Sequence, residues 1–199
     1  TLGSHGGLTD KGWHHFEETH RVGMVVKDPR RRAAAAAPAG RAESRWASVL
    51  DVYPTVCELA GAEYDPAAVH GRSLLPLLDG RDVPWRDTAF VEFGGVNSVA
   101  TTMLTCRHGD LKYGWNAGAA DELYDLAADP HEMQNLVDDP AHADALAALR
   151  RRVYTFMHET GHGARSMFTQ SRLGWLQYRT FPPGQDPLDP DAWNVPLAW

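Results

Sequence analysis

Lys11 stands in a glycine-rich stretch with chemically useful side chains on both sides: His5, His14, His15 and His20, and the acidic pair Glu17 and Glu18. A compact ammonium ion held in a partly dry cleft can counter the charge of a bound anion and of a leaving oxygen. His14 and His15 can face a substrate or act as an acid that protonates a leaving group. Gly3, Gly6, Gly7 and Gly12 permit the sharp turns and close backbone approach that a ligand-binding loop needs. Glu17, Glu18 and Arg21 are expected to form structural pairs that fix this loop against a sheet. A second constellation, His158-Glu159-Thr160-Gly161-His162, has the H-E-x-x-H spacing of zinc proteases. That chemistry needs both histidines on one face of a continuous helix, and Gly161 and Gly163 fall where the helix should be ending, so the stretch reads as a helix terminus.

The elements around these residues follow from pattern. Val22 to Val26 is a short apolar run that suits a parallel strand covered on both faces. Residues 30 to 47 read as an exposed Arg-, Ala-, Pro- and Gly-rich loop, with a helical turn at 33 to 37. Trp46 to Leu50 reads as a short strand, followed by a helix that Asp51 caps and Gly61 stops. From about Pro84 short extended runs alternate with turns. Strands are expected at Thr88–Phe93, Ala100–Arg107, Leu111–Trp115 and Glu122–Leu126, with His108-Gly109-Asp110 as a hairpin turn. Pro140–His158 is helical by the spacing of Leu146, Leu149, Val153, Phe156 and Met157. The aromatic, Pro-rich stretch after Gly163 reads as an arm packed on the body or on a second subunit, which would make the protein a homo-oligomer.

Leu2-Gly3-Ser4-His5-Gly6, Lys11, Phe16-Glu17-Glu18, Arg21-Val22 and Asp28-Pro29 together resemble the sulfatase family of the alkaline-phosphatase superfamily. So do Asp51-Val52-Tyr53-Pro54-Thr55, the run His70 to Gly80, and Glu122-Leu123-Tyr124-Asp125-Leu126 with Asp129-Pro130-His131-Glu132 and Asn135-Leu136. The resemblance implies an α/β fold: residues 1–83 end a large alkaline-phosphatase-like domain, 84–163 form a small antiparallel sheet with a packed C-terminal helix, and 164–199 form the arm. It implies hydrolysis of a small-molecule sulfate monoester, with Lys11 as the catalytic, sulfate-contacting lysine and His5, His14 and His15 as candidate substrate contacts. His5 serves equally well as a hydrogen-bonded tether of the glycine loop.

It also implies a fragment. Neither Cys57 nor Cys106, nor any serine, lies in the Cys/Ser-x-Pro/Ala-x-Arg sequence from which sulfatases make formylglycine. No aspartate cluster has metal-ligand spacing, so the resemblance puts the nucleophile and the ligands of a divalent metal, usually calcium, upstream of Thr1. A phosphodiesterase or phosphonate monoester hydrolase of the same superfamily is the close rival. A non-catalytic relative acting in binding or assembly is the other.

A length of 199 residues, 43% hydrophobic and 23% charged, fits an ordinary globular chain. The formal charge of -7 argues against a nucleic-acid partner. The triplets Arg30–Arg32 and Arg150–Arg152 are expected to face solvent. No apolar run reaches the roughly 18 to 20 residues of a membrane span. Cys57 and Cys106 are expected as buried free thiols.

Overall fold

The computed structural model describes residues 3–7, 14–28, 40–94, 102–116 and 119–160. Lys11, the loop at 29–39 and the stretch beyond Thr160, with the arm and His162, lie outside the described residues. The chain forms two compact units, one of residues 22–87 and one in which the residues up to Arg21 join those from Thr88 onward. The described residues of the glycine-rich segment therefore pack with the small sheet.

That sheet has four antiparallel strands in sequence order, β1 (Thr88–Phe93), β2 (Met103–His108), β3 (Leu111–Asn116) and β4 (Glu122–Asp125). The β2–β3 hairpin pairs His108 with Leu111, leaving Gly109 and Asp110 as its two-residue turn. Gly109 has φ 58, the left-handed conformation that the first position of a II′ turn requires. Register then sorts the side chains. Phe90, Cys106, Tyr113 and Leu123 form one cross-strand row, and Leu104 and Trp115 form the next on the same face. Against this face packs the long helix Ala143–Thr160, which presents Leu146, Leu149, Val153 and Met157 to the core. Phe156 stacks on Phe90 with ring centroids 4.2 Å apart. The apolar spacing read in the sequence is this buried stripe.

The opposite face carries Arg107, Lys112 and Tyr124 in one row, Val91, Thr105, Gly114 and Glu122 in the next, then Phe93, Met103 and Asn116. The segment around His14 to His20 covers it. His15 lies so close over Gly114 that a Cβ there would stand 2.4 Å from the His15 ring. Gly114→Ala should accordingly destabilise this unit by about 1–3 kcal/mol through overpacking. Chemical denaturation followed by Trp115 fluorescence checks this, and a paired His15→Ala should recover part of the loss.

The turn after β4 shows what the Asp-Pro-x-Glu and Asn-Leu residues do. Asp125 Oδ1 accepts from the backbone of Ala127 and Ala128, and Asp129 Oδ2 accepts from Met133 and Gln134. Asn135 accepts from Leu123 and Val137 and donates to the Asp121 carbonyl at 3.1 Å. Each carboxylate or amide meets backbone groups that the turn leaves without a ladder partner.

In the unit of residues 22–87 the helix Val52–Ala60 ends at Gly61, φ 65. Asp51 does not cap it through its side chain. The fully buried carboxylate of Asp51 instead accepts from the backbone of Ser48 and Arg72 and from both terminal nitrogens of Arg86, at 2.6 to 2.8 Å. Gly71 lies on the Leu50 carbonyl, where a Cβ would meet the oxygen at 2.0 Å. The two sulfatase-like phrases around Asp51 and Gly71 thus join at one buried acid.

Three further expectations need correction. Val22 to Val26 belongs to no ladder, with Val25 97% exposed, because no described strand lies alongside to take its backbone hydrogen bonds. Trp46 to Leu50 is not a strand: a capping box between Ser48 and Asp51 winds Val49–Asp51 into a 3-10 turn. Arg150 is not simply solvated, since it turns inward to Asp121 at 3.2 Å beside the Tyr113 hydroxyl. Cys57 and Cys106 are buried free thiols, and burial pushes Cys106 up to about 12.

Candidate functional site

The glycine-rich stretch is tied down at both of its described ends. Ser4–Gly7 is a tight turn in which His5 takes φ 54, a left-handed conformation unusual for a residue with a side chain. From it the His5 ring stacks on Phe16 at 3.6 Å and lies 3.7 Å from Glu18, and Ser4 Oγ donates to Glu18 at 2.5 Å. His5 is therefore a tether of the loop. The short helix Glu17–His20 follows Phe16 and rests on the sheet through Phe16, whose ring centroid is 6.1 Å from that of Tyr124.

Glu17 secures this helix to the sheet. One oxygen of its carboxylate accepts from Arg107 Nη1 at 2.7 Å and the other lies 3.3 Å from Lys112 Nζ. Its backbone N–H donates to Glu132 at 2.7 Å across 115 residues of sequence, and Glu132 is ion-paired with Lys112. Lys112 and Glu132 are almost completely buried. The expected structural pairing is thus realised by Glu17 and Glu18, while Arg21 lies exposed. The pairing of Lys112 with Glu17 and Glu132 is a contact the sequence reading missed. The signal available was a lone lysine inside an otherwise apolar strand.

His14 and His15 diverge. His15 exposes no surface: Nδ1 is 2.6 Å from Thr105 Oγ1 and Nε2 is 3.2 Å from Asn116 Oδ1. The Asn116 amide nitrogen donates to the Ala120 carbonyl, which leaves its Oδ1 to accept. Nε2 therefore carries the proton and Nδ1 accepts from Thr105, a neutral imidazole with both nitrogens committed. Burial lowers its pKa. With both nitrogens committed and its ring packed over Gly114, His15 braces the sheet. His14, with Nδ1 2.7 Å from Thr19 Oγ1, lines a cavity of about 210 Å³ together with His15, Thr19, His20, Val91, Glu92, Phe93, Met103 and Thr105. His20, passed over as a site residue, is held neutral there. Burial, then Lys112 and its two neighbouring histidines, lower it to about 3.

The sign of the resulting pH dependence is fixed. His15 and His20 take protons in the unfolded chain near pH 6.5 and resist them when folded. Stability is full above pH 6.5 and falls as pH drops toward the folded values. Between pH 7.5 and pH 5 the loss through His20 should be on the order of 1–2 kcal/mol. Glu43, lowered to about 2 chiefly by its hydrogen bonds from Arg45, changes stability only at more acid pH. Urea denaturation at the two pH values measures the effect, and the difference should shrink in His20→Gln.

Among the described residues no group of three His, Cys, Asp or Glu side chains could hold a metal ion, and no helix is long and apolar enough to cross a membrane.

Comparison with known proteins agrees with this layout. Residues 3–159 match the family described as N-sulphoglucosamine sulphohydrolase, C-terminal. The chain is 35% identical to the multifunctional alkaline phosphatase superfamily protein PehA of Trinickia caryophylli, over 71% of this chain and 29% of that protein. It is 34% identical to human arylsulfatase K, over 61% of this chain and 23% of that one. A solved structure of a 2-O GAG sulfatase superposes with a TM-score of 0.52 at 31% identity, covering 59% of this chain and 26% of that chain. The chain thus spans less than a third of the length of the relatives it matches. It belongs to the sulfatase family of the alkaline-phosphatase superfamily and corresponds to that family's carboxy-terminal portion.

Proposed function

We propose that the intact protein is a sulfuric ester hydrolase and that this chain supplies the loop that binds the sulfate group, through Lys11. The observation that carries this reading is the family match across residues 3–159, which takes in the loop and the two motifs that meet at Glu17 and Glu132. Lys11 follows His5 by six residues and precedes Phe16 by five, so it belongs to a segment whose two ends are stacked together. The ammonium counters charge that builds on the sulfuryl oxygens and on the leaving oxygen as the ester bond breaks. His14, at the near end of the same segment, contacts the alcohol part of the substrate.

The divalent metal implied by the resemblance, calcium in most sulfatases, finds no fit among the described residues. Its ligands and the nucleophile belong, in this reading, to the part of the protein outside this chain. The exposed apolar residues Val22, Val25, Val52, Val56 and Leu59 support the same view, since a face of this kind is ordinarily covered. Residues 22 to about 83 would then complete a large α/β domain, the residues up to Arg21 belonging with the small sheet.

A second reading, a phosphonate monoester or phosphodiester hydrolase, draws on the likeness to the solved phosphonate monoester hydrolase of Agrobacterium radiobacter, 27% identical with a TM-score of 0.51. Kinetics of the full-length protein on 4-nitrophenyl sulfate, a phenylphosphonate monoester and bis-4-nitrophenyl phosphate decide between them. The proposal expects the sulfate ester to have the highest kcat/KM, by tenfold or more. A higher value for the phosphonate or the diester supports the second reading, and absence of turnover on all three supports a non-catalytic relative.

A further inference from the structure

The cavity of about 210 Å³ lies within the sheet unit, between the Glu17–His20 helix and strands β1 and β2. Val91, Phe93 and Met103 make one wall apolar, and the register that pairs Val91 with Thr105 and Phe93 with Met103 puts all four on the same face. Val91 is 38% exposed, so solvent reaches the cavity along β1. Glu92 alternates to the opposite face of the strand and borders the cavity through its main chain. The imidazoles of the cavity are not equivalent. His15 has both nitrogens committed to Thr105 and Asn116, and His14 holds Thr19. His20 has no hydrogen-bond partner among the described residues, and burial keeps its ring neutral.

The lining selects the ligand. No described lysine or arginine lines the cavity, which disfavours an anion, and no group of three His, Cys, Asp or Glu among the described residues could hold a metal ion. An apolar cavity of about 150 Å³ holds benzene, so the space here admits one six-membered ring with a small substituent. A sugar ring would bring several hydroxyls to a site with one uncommitted imidazole, and each hydroxyl left unpaired is penalised. A flat aromatic ring with a single hydroxyl suits both sides: its faces meet Phe93, Val91 and the Met103 thioether, and its hydroxyl reaches His20. We propose that this cavity is a binding site for a neutral phenol, with His20 as the hydrogen-bonding partner of the phenol hydroxyl and Phe93 and Met103 as the walls that hold its ring. The assignment stands whether or not the intact protein cleaves sulfate esters.

The test is a titration of the full-length protein with phenol, read by saturation-transfer NMR. Binding should saturate with a Kd of about 0.1–5 mM, the range open to a ligand of so few atoms. His20→Phe keeps the bulk of the ring and removes its hydrogen-bonding nitrogens. It should weaken phenol by about fivefold or more, with the melting temperature little changed. Val91→Trp, at a partly exposed position of β1, should close the mouth of the cavity and abolish binding, and it decides the matter if His20→Phe folds poorly. Benzoate, which presents a charge where phenol presents a hydroxyl, should bind at least about tenfold more weakly. Absence of saturable binding up to about 20 mM phenol, or binding that both variants leave within about twofold of the parent, would overturn the assignment. Tighter binding of benzoate or of methyl glucoside than of phenol would overturn it as well, by making the cavity an anion site or a polyol site.

Discussion

Lys112→Met is expected to destabilise the sheet unit by about 3–5 kcal/mol, the cost typical of stripping one partner from a buried ion pair. Methionine matches the length and bulk of the lysine stem, so the cavity term is small and the loss is electrostatic. The Glu132 carboxylate, 2% exposed, would keep only the Glu17 N–H and would have to ionise without a cation or bind a proton. Glu17 would retain Arg107 at 2.7 Å and is less affected. The measurement is urea unfolding followed by the fluorescence of buried Trp115, in which the midpoint should fall while the slope stays the same. The paired replacement Lys112→Met with Glu132→Gln should recover a large part of the loss, since it removes both charges. A control at exposed Lys27 should change stability by less than about 0.5 kcal/mol. A loss under 1 kcal/mol for Lys112→Met would mean that water reaches the pair.

The order of elements in the small unit was legible because its physics is local. Alternating apolar residues bounded by turn residues marked all four strands, and β1 was placed at Thr88–Phe93 as read. The stripe from Leu146 to Met157 marked a helix that has one apolar face to bury, and it buries that face on the sheet. What failed was whatever depended on distant partners. Val22 to Val26 has the composition of an interior strand, but composition cannot supply the neighbours that a strand must bond to. Trp46 to Leu50 carries the β-branched and aromatic residues of a strand, and the competing bonds of Ser48 and Asp51 win because each satisfies a backbone N–H within three residues.

The site divides in the same way. Four histidines near one lysine look alike in sequence, yet they meet different surroundings. His5 stacks on Phe16, and His15 is enclosed between Thr105 and Asn116, some 90 and 101 residues away in the chain. Only the fold brings Gly114 beneath His15, and only the absence of a Cβ there makes room for the ring. Glu17 could be read as structural, one of a cluster of charges expected to fix the loop against the sheet. Its partners could not be named, since Lys112 and Glu132 come from separate turns of the chain.

Lys11→Ala in the full-length protein tests the central claim most directly, and its effect should be the largest on activity. A cation aimed at charge that develops in the transition state is worth more than its ground-state contact wherever water is excluded and the group is held in place beforehand. Its removal should lower kcat/KM on an aryl sulfate by about a hundredfold to a thousandfold, the range seen when one preorganised charge-stabilising donor is lost. Stability should be unchanged, and the variant's pH profile should keep its shape at a lower rate. Measured by steady-state hydrolysis of 4-nitrophenyl sulfate, a fall of that size with an unaltered melting temperature is the predicted result. A rate within twofold of the parent enzyme would contradict it.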